Sequence, residues 1–193
     1  MPTTADDLRR VALELFASDG YASTSLQQIA VRAGVSKATV LYHFASKDVL
    51  LESVLAPAVD QLDSILGEAH LAQLRGGGAE RALFLESFVD FLLEHRAAAV
   101  IFVNQATSLV DVPIVARANA EIELVSGYLE ANAGSLEEKV RFGVALGGAA
   151  YLLAGAPIAM PDQDVATLRS ALITVLSDLL GVAPAVAPSR SAD

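Results

Sequence analysis

Hydrophobic residues recur three and four positions apart along most of the chain, and this spacing predicts amphipathic helices. The first such run places Leu8, Val11 and Leu15 on one face. It predicts a helix over residues 5–18, which the Asp19-Gly20 pair ends. We find no stretch with the polar–apolar alternation of a half-buried strand. The pattern therefore predicts an all-α protein of about nine helices.

Residues 25–47 predict two short helices joined by a tight turn. Gly34 stands where the first helix must end in a residue that tolerates positive φ, and Ser36 is placed to cap the second helix over residues 37–44. This is the pattern of a helix-turn-helix, whose second helix enters the major groove of DNA. The residues predicted to form its core are Leu15, Phe16, Leu26, Ile29, Val35, Val40 and Phe44. Leu41 is also expected to point inward.

The remaining pattern predicts six further helices and a tail. Ser46 caps a fourth helix that runs to about His70, with an irregularity near Pro57. Glycines at 76–78 break the chain there. Later helices are predicted from that break to about residue 95 and over about 97–109, 113–132, 136–155 and 165–180. We predict a helix-turn-helix domain over 1–47, a larger helical domain over 48–182 and a disordered tail over 183–193.

Composition adds limits to this fold prediction. The chain has 193 residues, is 53% apolar and contains no cysteine. It therefore has no disulfide or thiolate zinc site, which fits a reducing cytoplasm, and its N-terminus lacks the apolar run of a signal peptide. The uncharged stretch 142–160 approaches the length of a membrane span, but it is rich in Gly and Ala and is interrupted by Pro157. We interpret it as a buried interface helix, with no contact to membrane.

The charge is divided unevenly. Residues 1–50 hold five basic and five acidic residues, so the net charge of −10 falls entirely on residues 51–193. An acidic body repels DNA, and few basic residues give a shallow dependence of affinity on salt. We therefore expect weak nonspecific DNA binding and reliance on a specific site.

Specific resemblance begins within the helix-turn-helix. AGVSKATVLYHFASKD (residues 33–48) resembles the signature of the tetracycline-repressor (TetR) family of bacterial regulators, and LFASDGYASTSLQQIA (15–30) matches that family's N-terminal pattern. The similarity covers about the first fifty residues, and the remainder resembles the family in length and helical character only. It implies a three-helix DNA-binding domain followed by a larger ligand-binding and dimerisation domain. An ordinary αα-hairpin is the alternative, which the SKDVLL segment after the motif disfavours.

The resemblance implies a set of DNA-binding residues. Lys47 matches a family lysine that meets a phosphate, and the start of the second helix is a ready anion site. The family's usual tyrosine position holds Leu41 here, so its phosphate contact is expected to pass to Tyr42 or His43. A merely solvated helix face is the alternative. The candidates are Thr24, Ser25, Ser36, Lys37, Ala38, Thr39, Tyr42, His43 and Lys47.

The larger domain is expected to hold a ligand and a dimer interface. The family binds small molecules among helices 4–8, and each candidate below could instead be ordinary core. Ligand-binding candidates are Phe84, Phe88, Phe91, Phe102, Asn104, Gln105, Arg117, Tyr128, Phe142 and Tyr151. Glycines inside the eighth helix suggest close approach of two helices, between subunits as in the family or within one chain. Dimer-interface candidates are Gly143, Gly147, Gly148, Leu168, Leu172, Leu176 and Leu179.

The expected function is ligand-responsive regulation of transcription. We predict a homodimeric repressor that binds a palindromic double-stranded DNA operator and is released by an apolar or aromatic molecule, neutral or mildly acidic, because Arg117 is the only basic residue between Arg96 and Lys139. An activator of the same family, or an architectural or protein-binding role, remains open. No enzyme motif is present. We expect no enzymatic activity, no metal and no cofactor.

Overall fold

The computed structural model describes residues 4–67, 73, 78–105, 108–109, 111–155 and 164–182. The predicted tail, the end of the predicted fourth helix and Pro157 lie outside these residues. The described residues contain nine α-helices and no strand. They are α1 Thr4–Ser18, α2 Leu26–Arg32, α3 Lys37–His43, α4 Lys47–Leu66, α5 Gly78–Glu94, α6 Arg96–Gln105, α7 Pro113–Asn132, α8 Leu136–Leu153 and α9 Val165–Leu180.

The helix-turn-helix is set by local hydrogen bonds. Ser25 and Gln28 form a capping box at the start of α2, because the Ser25 hydroxyl accepts from the Gln28 amide and the Gln28 side chain accepts from the Ser25 amide. Gly34 has φ +69°, which lets the chain turn after α2. The Ser36 hydroxyl then accepts from Thr39 N at 3.0 Å and begins α3. Ile29 of α2 and Val40 of α3 are fully buried, and α2 packs against both α1 and α3.

Helix α4 joins the helix-turn-helix to the rest of the chain. It runs unbroken from Lys47 through Pro57 to Leu66, where the sequence predicts an irregularity. The Pro57 ring is on the exposed side of the helix, and the buried side packs against α1 and α7. One continuous helix therefore contacts both the helix-turn-helix unit and the larger domain.

The larger domain is a helical bundle of α5–α9 packed on α4. Helix α6 ends at Gln105, four residues before the predicted end, and α8 ends at Leu153. Helix α9 begins at an Asp164 cap and ends at Gly181, which has φ +64°. The Arg169 guanidinium binds both oxygens of Asp90, joining α9 to α5 and lowering the pKa of that carboxyl. Among the described residues, no helix has both the length and the apolar character that crossing a bilayer requires.

Candidate DNA-binding surface and ligand cavity

The outer face of α3 offers both polar and aromatic groups. Lys37, Ala38, Tyr42 and His43 are exposed, and Tyr42 has 85% of its surface free. The Tyr42 and His43 rings meet edge to face with centroids 5.2 Å apart. Within the described part of the chain, the Lys37 ammonium has no hydrogen bond or ion pair. This face can reach base edges and phosphates at no expense to internal contacts.

The structure confirms the predicted cap at Ser36 and revises the exposure of two α3 residues. Ser36 caps the helix, and its hydroxyl lies 2.8 Å from that of Thr39. Thr39 is half-buried, where the sequence analysis places it on the outer face. Leu41, predicted to point inward, is 43% exposed, because Val40 and Phe44 already fill the interior beside it. Leu41 therefore belongs to the outer surface.

Thr24 and Lys47 have internal roles that differ from the predicted DNA contacts. Thr24 is 2% exposed, and its hydroxyl donates to Gly20 O at 2.8 Å. The Lys47 ammonium donates to Tyr21 O at 2.8 Å and to Thr24 O at 3.0 Å, and lies 4.1 Å from the centre of the Tyr21 ring. The Tyr21 hydroxyl donates a hydrogen bond to the Asp48 carboxylate. Burial and this neighbouring negative charge raise the pKa of Tyr21. The ammonium thus fastens the loop before α2 to the start of α4.

Replacing each lysine by methionine separates these roles. Lys37→Met should flatten the dependence of DNA affinity on salt by about one unit of slope, with an unchanged melting temperature. Lys47→Met should leave that slope nearly unchanged and lower the free energy of unfolding by about 1–3 kcal/mol, because two carbonyls lose a charged donor. Binding isotherms at several salt concentrations and thermal melts measure both. If Lys47→Met instead reduced the salt dependence of DNA affinity and kept normal stability, Lys47 would be a DNA-contacting residue as the sequence predicts.

An apolar cavity of about 340 Å³ lies between α4, α5, α6, α7 and α8. Its size and apolar lining are typical of small-molecule sites. Of the ten ligand candidates, four line it. These are Phe88, Phe91, Phe102 and Phe142.

The other six candidates lie outside the lining. Arg117 is 43% exposed and pairs with Asp60 and Asp63 of α4. Phe84 is fully buried in the core, stacked on Phe88 with centroids 6.2 Å apart. Helical spacing predicts which face of a helix a residue occupies, but it does not show which other helix packs against that face. It therefore could not predict that Arg117 and Phe84 lie outside the cavity lining. The remaining four are Asn104, Gln105, Tyr128 and Tyr151.

Asn104 and Tyr151, two of those four, lie on the outer sides of their helices. Asn104 is exposed and donates to Ala154 O at 3.3 Å. Tyr151 is 57% exposed on the outer side of α8. Both predictions of a cavity position differ from the structure, because the lining of α6 and α8 comes from their other faces.

His95 and Ser126 are the cavity's polar side chains among the described residues, and neither is among the candidates predicted from the sequence. His95 follows α5, and its Nε2 lies 2.6 Å from Gln61 Oε1. Burial lowers the pKa of His95, an effect that the nearby Glu94 charge opposes. A single histidine gives no sequence signal, since its surroundings come from three other helices.

The glycines of α8 open the cavity. Gly143 and Gly147 belong to its lining, and no atom of the described residues lies within 4 Å of a Cβ built at either position or at Gly148. Tight packing within one chain therefore does not explain them. Larger side chains at the two lining positions would occupy ligand space.

Gln105 links the cavity wall to the DNA-binding unit. Its Nε2 donates to Phe16 O at 2.8 Å, and its Oε1 accepts from Tyr21 N at 2.7 Å. The same helix, α6, places Phe102 in the cavity one turn earlier. Gln105 therefore contacts the end of α1 and the following loop rather than the predicted ligand position.

The last two described helices leave an apolar surface uncovered, here called the α8–α9 face. On α8, Leu136, Val140 and Val144 are 77%, 54% and 55% exposed, beside Gly148. On α9, Val175 is 56% exposed. Leu172 and Leu176, predicted for the dimer interface, are instead buried within the chain, and Leu168 and Leu179 are half-buried. The hydrophobic residues of α9 are thus divided between core and surface.

The helix-turn-helix matches a known family. The model for bacterial regulatory proteins of the tetR family matches residues 8–54, which span α1–α3 and the start of α4. Residues 8–54 are therefore a TetR-type helix-turn-helix domain. The all-α fold with an N-terminal helix-turn-helix, expected from the sequence, is confirmed.

Relatives within the TetR family regulate transcription. The HTH-type transcriptional repressor KstR2 of Mycolicibacterium smegmatis is 35% identical over 115 residues, covering 56% of this chain and 52% of that protein. The HTH-type transcriptional activator FasR of the same organism is 35% identical over 123 residues, covering 60% and 55%. The chain spans about half the length of the curated relatives it matches. Both are regulators and neither is an enzyme.

A solved TetR-family structure extends the likeness to the whole fold. The ketosteroid transcriptional regulator KstR2 of Mycobacterium tuberculosis superposes with a TM-score of 0.73. The alignment covers 94% of this chain and 95% of that one at 18% sequence identity. At this identity the likeness shows the architecture alone.

Proposed function

We propose that this protein is a ligand-responsive transcriptional regulator, most simply a repressor, which binds a palindromic operator as a homodimer. The observation that carries the proposal is the apolar cavity of about 340 Å³ in a chain that begins with a TetR-type helix-turn-helix. The domain division at residue 47 belongs to the same proposal, with DNA contacts on one side and ligand and dimer contacts on the other.

Two walls of the cavity also touch the DNA-binding unit. Helix α4 lines the cavity with Ala58, Leu62 and Leu66 and packs against α1 at its other end. Helix α6 lines it and holds α1 through Gln105. A ligand that favours one arrangement of these helices would change the separation of two α3 helices, which must stay about 34 Å apart to meet successive major grooves.

The α8–α9 face supports assembly as a two-fold dimer. Its valines are exposed on the outer side of the larger domain, away from the face that is buried on the core. A closed two-fold dimer would bury the same patch on both subunits and would match the symmetry of a palindromic operator. Footprinting on the promoter beside its own gene tests the proposal. Protection of two half-sites one helical turn apart supports it, and no protection argues for a non-transcriptional role.

The cavity lining supports a hydrophobic ligand. No charged side chain of the described residues lines it, so a cationic dye would lose its hydration without gaining a counter-charge. In a thermal-shift screen, hydrophobic molecules at 100 times their dissociation constant should add about 2.7 kcal/mol of stability. Stabilisation by cationic dyes alone would overturn this assignment.

Filling the cavity should separate DNA binding from ligand response. Ala99 lines the cavity, whereas Ala97 is half-buried on the same helix outside the lining. Ala99→Leu should retain operator affinity and reduce ligand affinity at least about tenfold, because its side chain takes up ligand space. Ala97→Leu is the matched control and should respond as the wild type does. Equal ligand affinity in both variants would place the ligand elsewhere.

The direction of regulation has a second candidate. FasR, with 35% identity to this chain, is a transcriptional activator. A reporter fused to the protected promoter distinguishes the two directions. Reporter output that rises on deletion of the gene supports a repressor, and output that falls supports an activator.

A further inference from the structure

The hydrogen bonds around His95 fix which of its ring nitrogens carries the proton. Gln61 Nε2 donates to the Glu94 carboxylate at 3.4 Å, and Gln61 Oε1 faces His95 Nε2 at 2.6 Å. A carboxylate only accepts, so the amide nitrogen of Gln61 must face Glu94 and the amide oxygen must face His95. An amide oxygen also only accepts. His95 Nε2 therefore carries the proton.

The other ring nitrogen of His95 is then a hydrogen-bond acceptor. Burial disfavours the doubly protonated ring, so the neutral form has its lone pair on Nδ1. Within the described residues, no group donates to Nδ1. His95 belongs to the cavity lining, so a molecule bound in the cavity can supply the hydrogen-bond donor to this lone pair.

Ser126, the second polar side chain of the lining, is also committed as an acceptor. Its hydroxyl donates to Ile122 O, one turn back on α7, at 3.1 Å. The proton is thus directed into the helix, and the oxygen lone pairs remain available. Both polar side chains of the cavity have engaged their donors on the protein.

We infer that the cavity selects a hydrophobic molecule bearing a hydroxyl group, an alcohol or phenol, which donates its hydrogen bond to His95 Nδ1. The inference rests on the proposed ligand-binding function and specifies its ligand class. A carboxylate would bring more acceptors to a lining that offers acceptors and no cation, and would lose its hydration. An ether or ketone would leave the His95 lone pair unsatisfied. Gln61 is a positioning residue, because it acts on the ligand only by setting the tautomer of His95.

Three ligands of one carbon skeleton test the inference. A 4-alkylphenol, its methyl ether and the matching 4-alkylbenzoate are titrated into the full-length protein by calorimetry. The phenol should bind about tenfold or more tighter than the ether, and the benzoate weakest of the three. An ether or benzoate that binds as tightly as the phenol overturns the inference.

Two variants assign the effect to His95 and its tautomer. His95→Phe should reduce phenol affinity to that of the ether and leave the ether unchanged. Gln61→Leu should narrow the phenol-to-ether ratio, because the His95 proton is then free to move to Nδ1. Nitrogen NMR of the wild type should show an unprotonated His95 Nδ1, identified by its loss in His95→Phe. A protonated Nδ1 also overturns the inference.

Parallel operator-binding assays separate this inference from the proposed function. Tight phenol binding with no release of operator would refute ligand-controlled regulation and leave the ligand class standing. Failure of all three molecules to bind would overturn both the cavity as a ligand site and the preference for a hydroxyl.

Discussion

Val144→Glu should convert the proposed dimer to a monomer and reduce operator affinity by about two to three and a half orders of magnitude. Val144 is 55% exposed within the α8–α9 face, so a glutamate at this position fits the single chain without strain. Within a two-fold interface it would place an unpaired charge in apolar surroundings, at about 3–5 kcal/mol, which is a factor of roughly 100 to 4,000 in affinity. Light scattering at micromolar concentration and operator titration measure the two effects.

Leu124→Glu is the matched control for that change. Leu124 is 59% exposed on α7, outside the α8–α9 face, and its replacement adds the same charge. It should leave the protein dimeric. Gly148→Leu adds a second, uncharged test, because a Cβ there meets no atom of the described residues within 4 Å, and the larger side chain would project from the α8–α9 face toward a partner. Dimers that persist in both Val144→Glu and Gly148→Leu would exclude the α8–α9 face.

Gln105→Leu should destabilise the protein by about 2–4 kcal/mol and weaken the response of DNA binding to ligand. Removing the amide leaves Phe16 O and Tyr21 N without partners in a partly buried site, at about 1–2 kcal/mol for each group. It also removes the side-chain bridge from the cavity wall to α1. Denaturant unfolding gives the first effect, and the ratio of operator affinities with and without ligand gives the second.

Asn104→Leu provides the comparison on the adjacent residue. Asn104 is exposed and binds Ala154 O within the larger domain, so its loss touches no contact to the DNA-binding unit. It should change stability by less than about 1 kcal/mol and leave the ligand response intact. A Gln105→Leu protein that loses stability but keeps the full ligand response would restrict Gln105 to a structural role.

Helix ends were predictable because their signals are local. The caps at Ser25, Ser36 and Ser135 each bond an amide three residues ahead. Gly34 and Gly181 supply positive φ directly after a helix. These interactions involve neighbours in the chain, so residue type and spacing contain the information needed. The TetR signature is likewise a contiguous run of residues.

Candidate site residues were harder to predict wherever a distant helix decides their surroundings. The motif predicts a DNA contact for Lys47, yet its ammonium donates to two carbonyls more than twenty residues away in the chain. Its charge makes Arg117 a cavity candidate, yet Arg117 pairs with Asp60 and Asp63 outside the cavity lining. In both cases the side chain binds a residue on another segment of the chain. Helical periodicity does not show which segments pack together, so it cannot predict that partner.

The sequence by itself determined the helices, their caps and the helix-turn-helix, since each depends on residues within a few positions of one another. Tertiary structure alone decided which phenylalanines line the cavity, which leucines of α9 are buried, and that His95 and Ser126 belong to the cavity lining. The reason is geometric, because a helix face acquires its role from what packs against it. Gln105 shows this most clearly, since its partners lie 84 and 89 residues away in the chain.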